Sequence, residues 1–135
     1  MYWLLRGFRE DMVSMVVAAR ALAVGRAFVE LADEAITYGK LPQGMASGIA
    51  KEASETAASL RTALAHANPR LSPSARRLME GCLVDLDALT QLAELIVKKG
   101  ITPSNAAHYA PSVRYTAGVV IAAALALESA LGESE

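Results

Sequence analysis

Proline and glycine divide this chain into four long segments, and that division is the strongest constraint on its fold. These two residue types cluster near 39–48, 69–73 and 100–103, where they favour turns. Between the clusters, alanine, leucine, methionine and glutamate dominate, and all four are good helix formers. No run of alternating β-branched residues and no Asn-Gly or Asp-Gly pair indicates a hairpin. The sequence therefore predicts an all-α antiparallel bundle of four main helices, near residues 2–38, 46–67, 73–99 and 103–131.

Length and composition support one compact unit covering residues 1–135. A chain of 135 residues has the length of a single domain. Its hydrophobic fraction of 53% and net charge of −1 are unlike those of disordered chains, which are polar and highly charged. A net charge this small also provides no overall basic field that would attract nucleic acid or an anionic membrane.

Capping signals support several of the predicted helix ends. Ser72 and Thr102 each precede a proline, and a hydroxyl at the N-cap with proline at the first helical position is favourable. Gly100 follows two lysines, as is typical of a helix C-terminus. Pro111 lies inside the fourth segment and removes one backbone hydrogen bond. We therefore predict a kink in the last helix at Pro111, or a short helix 103–110 followed by a main helix 111–131.

Three helices show apolar stripes at helical spacing, which predict the core. The second half of the first helix has Val24, Phe28, Leu31, Ala35 and Tyr38 on one side. The second helix has Ile49, Ala53, Ala57, Leu60 and Leu64, and the third has Met79, Leu83, Leu86, Leu89, Ala93 and Ile96.

Two other segments are apolar on nearly every side. Arg20 is the only charged residue between Met12 and Gly25, and 117–127 has no charge. A four-helix bundle buries one stripe of each helix, so these helices either lie at the centre of an irregular bundle or present an outer face to another subunit. We favour the second arrangement and predict self-association or a protein partner. The predicted interface residues are Met12, Val13, Val16, Val17, Val120 and Ile121.

Few residues are available for catalysis or metal binding. With one cysteine and two histidines, the chain has no intramolecular disulfide and too few soft ligands for a zinc site. Cys82 falls on the inward side of the third helix and is expected to act as a small hydrophobic residue. No glycine-rich phosphate loop occurs. We therefore expect no metal, no cofactor and no catalytic activity of the isolated chain.

One pair of residues nevertheless resembles a catalytic motif. Arg61 and His66 enclose four residues, Thr-Ala-Leu-Ala, and this spacing resembles the Arg-x4-His pattern of HEPN-type ribonucleases. Those proteins are α-helical, and an arginine and a histidine from each of two protomers meet in a dimer cleft. The family usually has Asn, Asp or His after the arginine, where this chain has Thr62. The resemblance implies a ribonuclease with Arg61 and His66 as its catalytic pair, whereas a solvated histidine at a helix end is the alternative.

The only local basic cluster consists of Arg70, Arg76 and Arg77. Cations in the first turn of a helix oppose its dipole, so their position there calls for an explanation. One explanation is an anion held by the three guanidinium groups and the free N–H groups of the helix N-terminus. The other is an ion pair between Arg76 and Glu80, with Arg77 solvated. The first would suit a subunit that binds a nucleic-acid backbone, by analogy with small helical subunits of CRISPR effector complexes.

Aromatic and polar residues gather around Pro111. His108, Tyr109 and Tyr115, together with Arg114, lie within a few residues of it. A kink there can line a small-molecule pocket, or the tyrosine hydroxyls can reach water at the end of the bundle.

No membrane span is predicted, because the longest uncharged run, between Arg114 and Glu128, has 13 residues, whereas a bilayer needs about 20. The start lacks the pattern of a signal peptide, and we expect a cytoplasmic protein. Three functions follow in order of preference. The first is a non-catalytic structural subunit that acts by helix packing, the second is the nucleic-acid-binding subunit, and the third is the ribonuclease.

Overall fold

The computed structural model describes the backbone of residues 2–39, 43–65, 72–102 and 104–133, and within these the side chains of 15–39, 44–65, 72–102 and 104–131. Four helices account for almost all of this: α1 (Tyr2–Tyr38), α2 (Gln43–Ala65), α3 (Pro73–Lys99) and α4 (Ala106–Glu133). The described residues include no strand. The predicted all-α bundle of four helices is confirmed.

The helices form a four-membered ring in which each packs mainly against two neighbours. α1 contacts α4 and α2, and α3 completes the ring by packing against α2 and α4. Because no helix occupies the centre, the irregular bundle with central helices is wrong, and every helix keeps an outward face. α1 packs most extensively against α4, so these two apolar helices bury much of their surface against each other.

The predicted stripes form the core, with one exception. Phe28 and Leu31 of α1, Leu60 of α2 and Leu86 of α3 are fully buried. Tyr38 was expected on the same stripe as Phe28, but its side chain is 70% exposed. It is the last residue of α1, where the chain leaves the bundle, so helical periodicity there no longer implies burial.

Capping groups fix the ends of α3 as predicted. The Ser72 side chain accepts a hydrogen bond from the Ala75 N–H at 3.1 Å, and Pro73 begins the helix. At the other end Gly100 has a φ of 73° and donates its N–H to the Ile96 carbonyl at 2.7 Å. This left-handed conformation is the one in which glycine is favoured over other residues.

Two helices start at positions that differ from the prediction by three residues. α2 starts at Gln43, three residues before the predicted position, and α4 starts at Ala106, three residues after it. In the second case Asn105 holds the preceding loop: its side-chain oxygen accepts from the Thr102 N–H at 2.7 Å, and its amide nitrogen donates to the Gly100 carbonyl at 3.1 Å. This competing side-chain network explains the late start of α4.

α4 continues without interruption through Pro111. The alternative of a short helix followed by a separate main helix is therefore wrong, whereas the kink stays a prediction. By length and composition, residues 106–131 of α4 are the one stretch among the described residues that is long and apolar enough to cross a bilayer. A single helix of this kind is weak evidence for a membrane segment, because core helices of bundles can have the same length and composition, and the structure shows no clear membrane span.

Candidate functional site

Close packing fixes how α1 lies against α4. A Cβ atom added at Gly25 would lie 2.7 Å from Cγ1 of Ile121 and 3.3 Å from the Ala117 carbonyl oxygen, so only glycine allows the helices to approach this closely without a shift. Further along, Arg114 Nη2 donates to Asp33 Oδ1 in an exposed ion pair. Because residue numbers fall on α1 as they rise on α4, the two helices are antiparallel.

This register identifies an exposed apolar area along the seam between the two helices. Residues three or four positions apart lie on the same face of a helix. On α1 this face runs from Asp33 through Arg26 to Leu22, and on α4 it runs from Arg114 to Leu125. We call this area the α1–α4 surface. It comprises Met15, Val16, Ala19 and Leu22 of α1, together with Gly118, Ile121, Ala122 and Leu125 of α4.

Large apolar side chains in this surface remain accessible to solvent. The exposed fractions are 40% for Met15, 55% for Val16 and 47% for Leu125. Charged residues border the surface at its two ends, with Arg26 at one and Glu128 at the other. An apolar surface with a charged border is typical of protein interaction sites.

The predicted interface residues divide between this surface and the core. Val16 and the half-buried Ile121 belong to the α1–α4 surface, whereas Val17 and Val120 are 3% and 0% exposed. These two valines are part of the core of the bundle, so their assignment to an intermolecular interface is corrected. The side chains of Met12 and Val13 lie outside the described residues.

Sequence reasoning missed six members of the surface, three of which have large apolar side chains. Met15, Leu22 and Leu125 are exposed or half-buried there, although none was assigned to the interface. Met15 lies on the stripe that passes through Ala19 at helical spacing. That spacing shows that the two residues share one side of the helix. It does not show whether the rest of the bundle covers that side.

α1 also extends past the end of α4. The pairings of Asp33 with Arg114 and of Gly25 with Ala117 place the end of α4 beside about residue 12 of α1. Since α1 begins at Tyr2, about ten residues, or roughly 15 Å of helix, continue beyond α4. The sequence of this extension is rich in apolar residues, including Trp3 and Phe8.

Arg61 is engaged in an ion pair between helices. Its Nη2 donates to both carboxylate oxygens of Asp87, at 2.7 and 2.6 Å, and so joins α2 to α3. His66, its proposed catalytic partner, lies outside the described residues. The contact with Asp87 gives Arg61 a structural role that the sequence pattern had not indicated.

The basic cluster is only partly described. Arg76 and Arg77 are exposed in the first turns of α3, and within the described residues neither forms an ion pair. The alternative pairing of Arg76 with Glu80 is therefore not observed. Arg70 lies outside the described residues.

The aromatic residues around Pro111 do not all line the cleft described between α3 and α4. His108 and Tyr109 contact each other edge to face, with ring centroids 5.3 Å apart. Tyr115 instead borders a small cleft of about 140 Å³ between α3 and α4, whose other lining residues are Asp85, Ala88, Thr116 and Val119. Neither His108 nor Tyr109 lines that cleft, so a common ligand site for the three aromatic residues is not formed there.

The single thiol is not activated. Cys82 is fully buried, and burial, assisted by the nearby charge of Asp85, raises its pKa to about 11. The protonated thiol is a poor nucleophile. Among the residues that the structure describes, no group of three or more His, Cys, Asp or Glu side chains could hold a metal ion.

Comparison with known proteins does not assign the chain to a family. No family model, no curated protein and no solved structure matches it.

Proposed function

We propose that this chain is a non-catalytic structural subunit that acts by helix packing, and that its α1–α4 surface binds a second copy or another protein. The observation that carries the proposal is the exposure of Met15, Val16 and Leu125 on α1 and α4, the two most apolar helices. Complete burial of a side chain of this size stabilises by about 1.5–3 kcal/mol. Covering all three would therefore contribute substantially to association.

The small residues of this surface suit contact with another helix. Ala19, Gly118 and Ala122 lie between the larger apolar side chains and are exposed. Short side chains allow two helix backbones to approach closely, while neighbouring larger ones interdigitate. This combination favours a helical partner, and a second copy of this bundle would supply one.

The cytoplasm remains the proposed location. The one cysteine, Cys82, is a free buried thiol, and free thiols are usual in reducing compartments. The proposed assembly needs neither a disulfide nor a cofactor.

A second candidate function is binding of a nucleic-acid backbone. It is supported by Arg76 and Arg77, which are exposed and lack ion pairs among the described residues. The test replaces Arg70, Arg76 and Arg77 with alanine together and measures binding to single-stranded RNA at several salt concentrations. Loss of salt-dependent binding with unchanged helicity would support this function. The ribonuclease hypothesis has no comparable support, because Asp87 already engages Arg61.

The assembly is tested by a charge placed in the α1–α4 surface. We expect the full chain to have a molar mass above that of the monomer, both purified and in native extract, and Leu125→Glu to reduce it to the monomer mass. Val84→Glu is the matched control, because Val84 is 67% exposed on α3, outside the surface. A monomer in both settings, or equal masses for the two variants, would contradict the proposal.

A further inference from the structure

An apolar cleft lies between α1 and α2. Its volume is about 490 Å³, which falls within the range of small-molecule sites. Its walls are mostly apolar, and charged groups occur near one end. The lining residues are Arg20, Ala23, Val24 and Ala27 of α1, and Gly44, Met45, Gly48, Ile49, Lys51 and Glu52 of α2.

Two glycines keep this cleft open. Gly44 and Gly48 lie one helical turn apart on α2, and a Cβ atom at either position would have no neighbouring atom within 4 Å. Packing inside the bundle therefore does not require glycine there, although glycine is among the poorest helix formers. A larger side chain at Gly48 would project into the cleft and reduce its volume.

The charged end of the cleft carries an excess of positive charge. Arg20 has only long contacts: Nη1 donates to Ser59 Oγ at 3.4 Å, and Nη2 lies 3.9 Å from Glu52 Oε2. Lys51 is exposed and forms no ion pair with the described residues. Two cations thus face one carboxylate, and the guanidinium group retains donors for a closer anionic partner. Arginine binds carboxylates in a bidentate geometry.

We propose that this cleft binds an amphiphilic carboxylate, with the carboxylate on Arg20 and Lys51 and the hydrocarbon chain along Gly48 and Gly44. The eight residues from Gly44 to Lys51 span about 10 Å along the helix, which matches an acyl chain of medium length. The walls formed by Val24 and Ile49 remove the chain from water. This site is separate from the α1–α4 surface and does not depend on the proposed assembly.

The test uses decanoate as the probe, with the full chain in a calorimeter. We expect decanoate to bind saturably below its micellar concentration. Decanol and decylammonium should bind at least about tenfold more weakly than decanoate, because neither can accept the charge-assisted hydrogen bonds from arginine. Arg20→Met removes the guanidinium and keeps the length of the side chain, and it should weaken decanoate binding by a similar factor. Arg26→Met, also on α1 but outside the cleft, should leave it unchanged.

Gly48→Leu tests the hydrocarbon half of the site. Leucine is a better helix former than glycine, and a Cβ atom at this position meets no neighbouring atom within 4 Å, so this variant should keep its helicity while its longer side chain fills the cleft and decanoate binding is lost. Leu125→Glu should not affect binding, which separates this proposal from the assembly. The proposal is overturned if decanoate binding does not saturate or if decanol binds equally well. It is also overturned if Gly48→Leu changes the mass of the assembly and leaves decanoate binding unchanged, since that result would show that a protein helix occupies the cleft.

Discussion

Asp85 illustrates how one side chain can oppose the stability of the bundle. It is half-buried beside Tyr115 and Thr116 in the small cleft between α3 and α4, without an ion pair among the described residues. Burial raises the pKa of this carboxyl group, because the charged form loses water without gaining a cation.

We predict that Asp85→Asn raises the melting temperature at pH 7. The pKa of Asp85 is higher in the folded chain than in the unfolded chain, so protonation of this carboxyl group favours the folded state. This contribution to the free energy of unfolding is fully present below the unfolded pKa and is lost as pH rises through the folded pKa. The gain from the substitution should therefore disappear near pH 3. Asp87→Asn is the control and should lower the melting temperature at pH 7, because Arg61 loses its partner. Lack of a gain for Asp85→Asn at pH 7 would refute this explanation.

Cys82 should resist thiol reagents in the folded chain. Its pKa is raised from 9.0 to about 11, which alone lowers the thiolate fraction at pH 8 about a hundredfold, and complete burial blocks access as well. The measurement compares the rates of reaction with a colorimetric disulfide reagent in native buffer and in urea. We expect reaction only on unfolding, and comparable rates in both solutions would show that the thiol is accessible.

Among the helices, α1 and α4 approach each other closely at Gly25, where a Cβ would lie 2.7 Å from Ile121. Gly25→Ala should be less stable than Gly81→Ala by about 1–2 kcal/mol, because overpacking opposes the gain in helix propensity. Gly81 is the matched control, since it lies in a helix and a Cβ there meets nothing within 4 Å. Urea unfolding measures both variants.

Truncation of Ile121 provides a further check of this contact. Ile121→Ala removes the atom nearest to the added methyl group, so it should partly rescue Gly25→Ala in a double-mutant cycle. Strict additivity of the two substitutions would show that the helices relax elsewhere and that this contact is not the cause.

The helix pattern was predictable because helix formation and capping depend on nearby residues. Ser72 and Gly100 act at the predicted ends of α3. The start of α4 was not predictable in the same way, because the side chain of Asn105 reaches back to the Gly100 carbonyl. Side-chain bonds of this kind compete with the first turn of a helix, and their outcome depends on the conformation of the loop.

For the bundle as a whole, the sequence predicted excess apolar surface without showing where it would lie. Val16 and Val17 are adjacent and chemically identical, yet they are 55% and 3% exposed. Successive residues of a helix point about 100° apart, so the rotation of α1 against α4 decides which valine is covered. That rotation depends on contacts between distant residues, such as Gly25 with Ile121, which one sequence does not reveal.

The most direct measurement of the proposed assembly is the accessibility of a cysteine placed in the α1–α4 surface. Leu125→Cys is compared with Val84→Cys by maleimide labelling in native extract and in dilute purified protein, and buried Cys82 should not contribute. We expect position 125 to label much more slowly than position 84 in the extract, and the difference to shrink in the diluted chain as the assembly dissociates. Rapid labelling of position 125 in the extract, equal to that of position 84, would show that no partner covers this surface.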